Sequence, residues 1–157
     1  DPDVVFVGEM RDLTTISSAL TIAETGHLVF STLHTNSASQ TIDRIVDVFD
    51  DANQSQIRVQ LASVLTAVVS QRLLPTVDGK RVAAFEVMIA TPAIRNSIRE
   101  SKTHMIDNII TTSGDVGMFG LEFSLANLVR QGIIDEKTAM AYTIRPDELQ
   151  SRLRKNI

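Results

Sequence analysis

The 157-residue sequence contains no cysteine, which excludes disulfide bonds and zinc sites with thiolate ligands from this chain. No apolar stretch approaches the length of a membrane-spanning helix and no signal peptide is visible, so the sequence predicts no direct membrane insertion. It also lacks polybasic runs and carries a formal net charge of -4, which argues against a nucleic-acid partner.

The phosphate-binding motif G-x-x-x-x-G-K-[ST] is a further absence. Asp78-Gly79-Lys80 ends in a lysine but reads as a hairpin turn, and the glycine-rich stretch at 114–120 contains no lysine. The backbone cradle and the lysine that hold nucleotide phosphates are therefore missing from these residues.

The composition that remains is typical of one globular domain, with 43% hydrophobic and 22% charged residues. The chain enters an apolar run at 4–7 after only three residues. A domain seldom starts so close to a buried strand, so we interpret the chain as a fragment that begins just ahead of a core strand.

Two apolar segments with a helical pattern between them predict a βαβ unit. Residues 4–7 are rich in β-branched side chains, which is typical of a strand buried on both faces of a parallel sheet. Asp12 is a good N-cap for the helix that follows, and Gly26 can end that helix. A second strand at 28–30 completes the unit, so the predicted fold class is α/β.

A hairpin and a series of helices are predicted beyond this unit. Asp78-Gly79 is a turn signal between extended segments at 71–74 and 82–87. Helical patterns follow Ser37, continue with an apolar face through positions 57–68, and resume after Thr91-Pro92, at 104–112, 121–131, 136–142 and 146–154. We therefore divide the chain into an α/β half, residues 1–90, and a small helical bundle, residues 91–157.

An acidic residue, Glu9, comes directly after the first predicted strand. The carboxyl ends of parallel strands form the ligand-binding edge of an α/β sheet, so Glu9 is delivered to that edge. A carboxylate there can orient Mg²⁺, directly or through water, or polarise an attacking water molecule. The alternative is an ordinary core strand with a polar end, because such combinations are common.

A polar cluster follows the second predicted strand, beside Glu9 on the same edge. Its hydroxyl, imidazole and amide groups can donate hydrogen bonds to phosphate oxygens, and its members are Ser31, Thr32, His34, Thr35 and Asn36. His34 is placed to sense whether a γ-phosphate is present. The alternative is a polar turn that caps the helix beginning near Ser37.

Several motifs in combination resemble the type II/IV secretion ATPase superfamily. GEMRD at 8–12 is similar to its atypical Walker B box, and AETGHLV at 23–29 with STLHTNSA at 31–38 is similar to its His box. TIDRIVDVF at 41–49 and QRLLP at 71–75 extend the resemblance, which runs from residue 1 to about residue 153. AIRNSIRE at 93–100 resembles the AIRNLIRE motif of the pilus-retraction members, with Ser97 in place of the usual leucine.

The resemblance implies the C-terminal half of a RecA-like P-loop ATPase core, with parallel strands and a β-hairpin, followed by a small helical bundle. It implies that Glu9 is the Walker B acid, which holds Mg²⁺ through water, and that His34 is the His-box histidine. The family's P-loop and acidic box would precede Asp1. We therefore expect that this chain alone does not hydrolyse ATP.

Four further residues become candidate contacts to ATP by the same resemblance. Thr32 and Thr35 belong to the His box, whereas Arg11 and Arg44 are candidates for contacts across a subunit interface. For the two arginines, solvated charge on a helix surface is the open alternative.

The AIRN motif has a physical interpretation of its own. Ile94 and Ile98 are spaced i,i+4 and should face a core, while Arg95 and Arg99 share a neighbouring face. By the resemblance, Arg95, Asn96 and Arg99 are candidates for coupling ATP hydrolysis to mechanical force. A solvated basic face is the alternative.

The resemblance also implies the cofactors, the partners and the location of the whole protein. It would be a homo-hexamer that uses ATP and Mg²⁺, retracts type IV pili and drives twitching motility. It would lie in the cytoplasm, peripheral to the inner membrane at the pilus base, against the platform protein of the pilus.

Three alternatives stay open. Pilus-extension and type II secretion ATPases usually carry a four-cysteine zinc element, which this chain lacks, and they lack the AIRN motif. A non-catalytic assembly module would agree with the missing P-loop. A DNA-handling RecA relative would need a basic surface, of which the sequence has no sign.

Overall fold

A computed structural model describes residues 2–154, so residues 1 and 155–157 of the two predicted halves lie outside the described residues. The strands are β1 (Val4–Glu9), β2 (Leu28–Thr32), β3 (Ala67–Pro75) and β4 (Arg81–Ile89). The α-helices are α1 (Leu13–Glu24), α2 (Ala38–Val46), α3 (Asp51–Val64), α4 (Pro92–Arg99), α5 (Ile106–Thr112), α6 (Leu121–Arg130), α7 (Glu136–Tyr142) and α8 (Pro146–Arg154). Within residues 2–154, no helix is both long and apolar enough to cross a membrane.

The predicted βαβ unit is confirmed, because β1 and β2 pair in parallel with α1 between them. The Asp12 carboxylate caps α1 by accepting the Thr15 amide at 2.9 Å and the Thr15 hydroxyl at 3.0 Å. Beyond the helix, Gly26 has a φ of +96°, in the left-handed region that glycine adopts without strain. Asp12 and Gly26 therefore begin and end α1 as the sequence predicted.

The expectation that β1 is buried on both faces is wrong for the described chain. Side chains on one face are exposed by 54% at Val4, 71% at Phe6, 47% at Leu28 and 55% at Phe30. The register places Val4 beside Leu28 and Phe6 beside Phe30, so these four side chains form one apolar patch. Apolar runs predict that a face can be buried, but within residues 2–154 nothing covers this one.

The residues form two compact units, the first made of Asp1–Val68 and Ile89–Ile109. In this unit α1 contacts α3, and α3 contacts α4. The predicted apolar face of α3 ran through Leu65 to Val68, but the helix ends at Val64 and Val68 already belongs to β3. Buried residues of the first unit include Ile16, Leu20, Ile42, Val46, Leu61, Ile94, Ile98 and Ile106.

The second unit comprises Val69–Met88 and Ile110–Ile157. The predicted hairpin lies here, where β3 and β4 pair across a turn with Gly79 at a φ of +80°. Phe119 pairs with Val87 of β4, so the glycine-rich stretch at 114–120 is joined to the hairpin at one point. The core of this unit consists of Leu74, Ala84, Leu121, Leu125, Ala126, Ile134, Ala139 and Leu149.

The predicted C-terminal helices are present, and α7 and α8 have the predicted limits. One difference is that the helix predicted at 104–112 begins as a short 3-10 turn, Thr103–Met105, before α5. Each compact unit contains residues from both sides of position 90. The division of the chain into an α/β half and a helical bundle at that position stays a prediction.

A fully buried carboxylate, Glu122, organises the turn between α7 and α8. Its Oε1 accepts the Thr143 hydroxyl at 2.9 Å and the amides of Ile144 and Arg145 at 3.3 and 3.1 Å. Its Oε2 lies 3.4 Å from Arg145 Nη1. The burial of this charge is stabilised by its partners, and no sequence pattern pointed to it.

Candidate functional site

A bulge in β1 sets the direction of the chain at the carboxyl end of the strand pair. The pairing with β2 shifts between Val7 and Glu9, which leaves Gly8 as the extra residue. The Thr32 hydroxyl donates to the carbonyl of Gly8 at 2.7 Å, and the Met10 amide donates to the carbonyl of Thr32 at 3.0 Å. Thr32, predicted as a nucleotide contact, thus holds the backbone next to Glu9.

The bulge brings Glu9, Arg11 and His34 together. Glu9 Oε2 lies 2.5 Å from Arg11 Nη2, and Glu9 Oε1 lies 3.1 Å from His34 Nε2. The Glu9 side chain is 25% exposed, whereas Arg11 and His34 are 73% and 85% exposed. One carboxylate is therefore flanked by two groups that are free to move into solvent.

The hydrogen bond from Arg11 is the largest influence on Glu9, and it lowers the pKa of the carboxyl from its ordinary value. Partial burial acts in the opposite direction, and the nearby charges of Arg11 and His34 add to the lowering. The Arg11 pKa is raised in turn by its hydrogen bond to Glu9. Glu9 is therefore ionised at neutral pH, the state in which a carboxylate can bind a cation or orient water.

The two remaining predicted nucleotide contacts are not part of this cluster. The Thr35 hydroxyl lies 2.7 Å from the Thr41 hydroxyl, which in turn donates to the carbonyl of Ser37. Arg44 is exposed in α2, and the contacts that hold Glu9, Arg11 and His34 do not include it.

The cluster fits part of a nucleotide site. Arg11 and His34 can donate to phosphate oxygens, and Glu9 can hold a water molecule of hydrated Mg²⁺. Among residues 2–154, no three His, Asp or Glu side chains come close enough together to hold a metal ion directly. The role of Glu9 in holding Mg²⁺ through water stays a prediction.

The three predicted force-coupling residues have different surroundings. Arg95 is half-buried and its guanidinium donates to backbone carbonyls. The Asn96 amide donates to the Glu100 carboxylate at 3.0 Å, and Arg99 is exposed. A solvated basic face was the alternative interpretation of the i,i+4 spacing of Arg95 and Arg99. The two arginines do not form such a face, because Arg95 is half-buried.

The bulge at Gly8 and the carbonyl contacts of Arg95 were not predicted from the sequence. They differ in whether the sequence contained a signal for them. The bulge had one, because glycine inside a strand often marks a bulge, and Gly8 interrupts an apolar run. The contacts of Arg95 with α3 had none, because they join residues 33 and 32 positions apart in the chain.

Comparison with known proteins places the chain among secretion and pilus proteins. The family model described as "Type II/IV secretion system protein" matches residues 1–155. The type IV pilus retraction ATPase PilT of Pseudomonas aeruginosa is 53% identical over 139 residues, which cover 88% of this chain and 40% of that protein. A twitching motility protein of Neisseria gonorrhoeae is 54% identical over 140 residues, which cover 88% of this chain and 37% of that protein.

A solved structure gives the same result for the fold. The crystal structure of the pilus retraction motor PilT with bound ADP superposes with a TM-score of 0.86 at 48% identity. The match covers 96% of this chain and 42% of that one. The chain therefore spans about two fifths of the length of the relatives that it matches.

Proposed function

The chain belongs to the family of type II/IV secretion system proteins, and from this membership we propose that it is the C-terminal part of an ATP-hydrolysing motor. The work of this motor is the retraction of type IV pili, which drives twitching motility. The observation that carries the proposal is the meeting of Glu9, Arg11 and His34 at the carboxyl ends of two parallel strands. That edge is where ligands bind in α/β sheets.

Each member of the cluster has a role in this proposal. Bound ATP supplies the phosphoryl group that is transferred to water, with Mg²⁺ to balance its charge. Glu9 holds Mg²⁺ through water or orients the attacking water molecule, and His34 senses the γ-phosphate. Arg11 leaves Glu9 to contact phosphate, and Thr32 keeps the bulge in place so that Glu9 points toward the site.

Thr35 and Arg44 need further steps to act in the same site. Thr35 contacts nucleotide after its hydroxyl turns away from Thr41. Arg44 is exposed in α2 and acts across the interface with a second subunit. Both assignments rest on the His-box and interface positions of the family.

The remaining parts of the nucleotide site lie in the portion of the longer relatives that this chain does not span. This portion supplies the phosphate-binding loop with its lysine, which the sequence lacks. The exposed apolar patch of Val4, Phe6, Leu28 and Phe30 supports the same view, because a RecA-like sheet is covered on both faces. The isolated chain is therefore inactive as an ATPase.

The active assembly in this proposal is a homo-hexameric ring. It lies in the cytoplasm at the pilus base, on the inner-membrane platform protein, without inserting into the membrane or binding nucleic acid. The exposed side of α4 couples the ATPase cycle to this partner, and Asn96 and Arg99 are its polar residues.

A second candidate function is a non-catalytic assembly module. It is favoured by the missing phosphate-binding loop together with the exposed apolar patch, which suit a piece that packs into a larger ring. A pilus-extension or type II secretion ATPase is less consistent with the sequence, because the four-cysteine element is absent and the AIRN motif is present.

The test is made on the full-length protein that contains this chain. Pilus retraction is measured in cells that lack their own retraction ATPase, and ATP turnover is measured on the purified protein. We expect both activities. ATP turnover without pilus retraction would reject the retraction role. Failure of the full-length protein to bind nucleotide would favour the assembly module.

A further inference from the structure

The guanidinium of Arg95 caps the end of α3. The Leu65 amide is the last donor to α3, to the carbonyl of Leu61 at 2.9 Å, and the carbonyls that follow have no donor within the helix. Arg95 Nη1 donates to the carbonyl of Ala62 and, at 2.9 Å, to the carbonyl of Ser63. A positive charge therefore lies at the negative end of the helix dipole.

A third contact joins the same guanidinium to the turn before α4. Arg95 Nε donates to the carbonyl of Ala90 at 2.9 Å. The Ala90 amide itself donates to the carbonyl of Thr66, just beyond α3, also at 2.9 Å. One side chain therefore ties the end of α3 to the start of α4 at three oxygen atoms, all within the first compact unit.

The position of Arg95 on α4 separates a buried side of the helix from an exposed one. Ile94 and Ile98 are fully buried, whereas Asn96 and Arg99 are exposed. The two isoleucines attach the helix to the core, but apolar contacts are non-directional and allow the helix to rock about them. Three hydrogen bonds from a planar group have fixed directions and remove that freedom.

We infer that Arg95 is a positioning residue, which orients α4 so that Asn96 and Arg99 are presented to the partner, and does not itself contact the partner. The inference rests on the proposed coupling role of that exposed side. Lysine cannot replace Arg95, because a single ammonium lacks the planar fork that reaches Ala90 and the end of α3 together.

Hydrogen–deuterium exchange on the 157-residue chain tests the positioning contacts directly. Arg95→Met keeps an unbranched apolar stem and removes the donors, and Arg95→Lys keeps the charge. We expect either variant to speed the exchange of α4 amides about tenfold or more, because the carbonyls of the buried residues Ala62 and Ala90 lose a donor. Arg99→Met, the same change four residues on, should leave this exchange as it is in the unsubstituted chain.

Two results would overturn the positioning role. One is unchanged α4 exchange in Arg95→Met, and the other is full protection in Arg95→Lys, since charge alone would then suffice. If Arg95→Met fails to fold, Arg95→Lys still decides the question, because it keeps the charge and changes only the geometry of the donors.

The functional consequence is tested in the full-length protein by combining variants. Arg95→Met should lower pilus retraction with ATP turnover retained, and it should add nothing to the defect of Arg99→Met. Fully additive defects would contradict the positioning role, because Arg95 would then act independently of Arg99. Normal retraction in Arg99→Met, with faster α4 exchange in Arg95→Met, would instead reject the proposed coupling surface.

Discussion

The carboxylate of Glu9 lies within hydrogen-bonding distance of the His34 imidazole, with 3.1 Å between Oε1 and Nε2. The two residues are 25 positions apart in the chain and come from the ends of neighbouring parallel strands. Their meeting follows from the βαβ connection and from the bulge at Gly8, which moves Glu9 along the strand relative to Thr32. The geometry therefore links the Walker B-like and His-box-like motifs into one site.

His34→Ala should lower the ATP turnover of the full-length protein, because in its proposed role His34 donates to the γ-phosphate. The expected loss is about tenfold to a hundredfold, the range for one positioned hydrogen-bonding group. Steady-state turnover and the ratio of ATP to ADP affinity provide the measurement. His104→Ala is the matched control, since His104 is exposed outside the cluster. Unchanged turnover together with an unchanged affinity ratio would show that His34 is no sensor.

Arg11→Gln should raise the pKa of Glu9 toward its ordinary value of 4.5, because the hydrogen bond from Arg11 is the main cause of the lowering. Since the Glu9 pKa is lowered in the folded chain, the Glu9–Arg11 pair stabilises the folded chain at pH values above the ordinary Glu9 pKa. This contribution is lost as the pH falls through the lowered pKa. Carboxyl titration by NMR is the measurement.

Arg44→Gln serves as the control for that titration, since Arg44 is exposed and is not part of the Glu9 cluster. It should leave the Glu9 titration unchanged. The account of the cluster is wrong if Glu9 titrates identically in Arg11→Gln and in the unsubstituted chain.

Glu122→Ala should lower the free energy of unfolding by about 3 kcal/mol, because it removes the buried acceptor that two amides, a hydroxyl and the Arg145 guanidinium share. Chemical denaturation of the 157-residue chain gives the value. Glu136→Ala, an exposed glutamate in α7, should change it by less than about 1 kcal/mol. Equal effects of the two substitutions would contradict the structural role of Glu122.

Phe6→Ser combined with Phe30→Ser should reduce self-association of the isolated chain without lowering its melting temperature. Phe6 and Phe30 are 71% and 55% exposed, so the two substitutions remove little apolar surface that is buried within the chain itself. Light scattering and thermal unfolding provide the measurements. Leu20→Ser is the contrasting control. Leu20 is buried, so its replacement by serine should lower the melting temperature. A large loss of stability in the phenylalanine variant would mean that the patch is covered within this chain.

The sequence predicted elements whose signals are local. Asp12 was predicted as an N-cap, and Ser37 and Thr91 precede predicted helices. Each of the three accepts an amide of the helix that follows it. The hairpin turn at Gly79 was likewise read from two adjacent residues. Such signals act within a few residues, so no knowledge of the tertiary structure was needed.

The contacts that sequence reasoning missed join residues that are distant in the chain. Glu122 and Arg145 are 23 positions apart, and Arg95 reaches across 32 positions to Ser63. For Arg95 a solvated basic face was one of two interpretations, and no sequence signal singled out Arg145. Only the packing of the helices decides which charged side chain meets a buried carboxylate or an open helix end.

The sequence predicted that Glu9 and His34 meet at one edge of the strand pair, but not the contacts of the residues beside them. Glu9 and His34 lie at the ends of adjacent parallel strands, a placement that the βαβ pattern predicted. Thr35 and Arg44 depend on side-chain direction in the turn and helix after β2, and the structure gives Thr35 a different partner. Their nucleotide roles stay predictions.

The most direct test of the account is Glu9→Gln in the full-length protein, with ATP turnover and nucleotide affinity measured on the same preparation. The change keeps the shape of the side chain and removes its charge, so the transition state loses more than the bound ground state. The account predicts a fall in turnover of about a hundredfold or more with nearly unchanged affinity. Undiminished turnover, or equal loss of affinity and turnover, would contradict the proposal that Glu9 is the catalytic acidic residue of a motor ATPase.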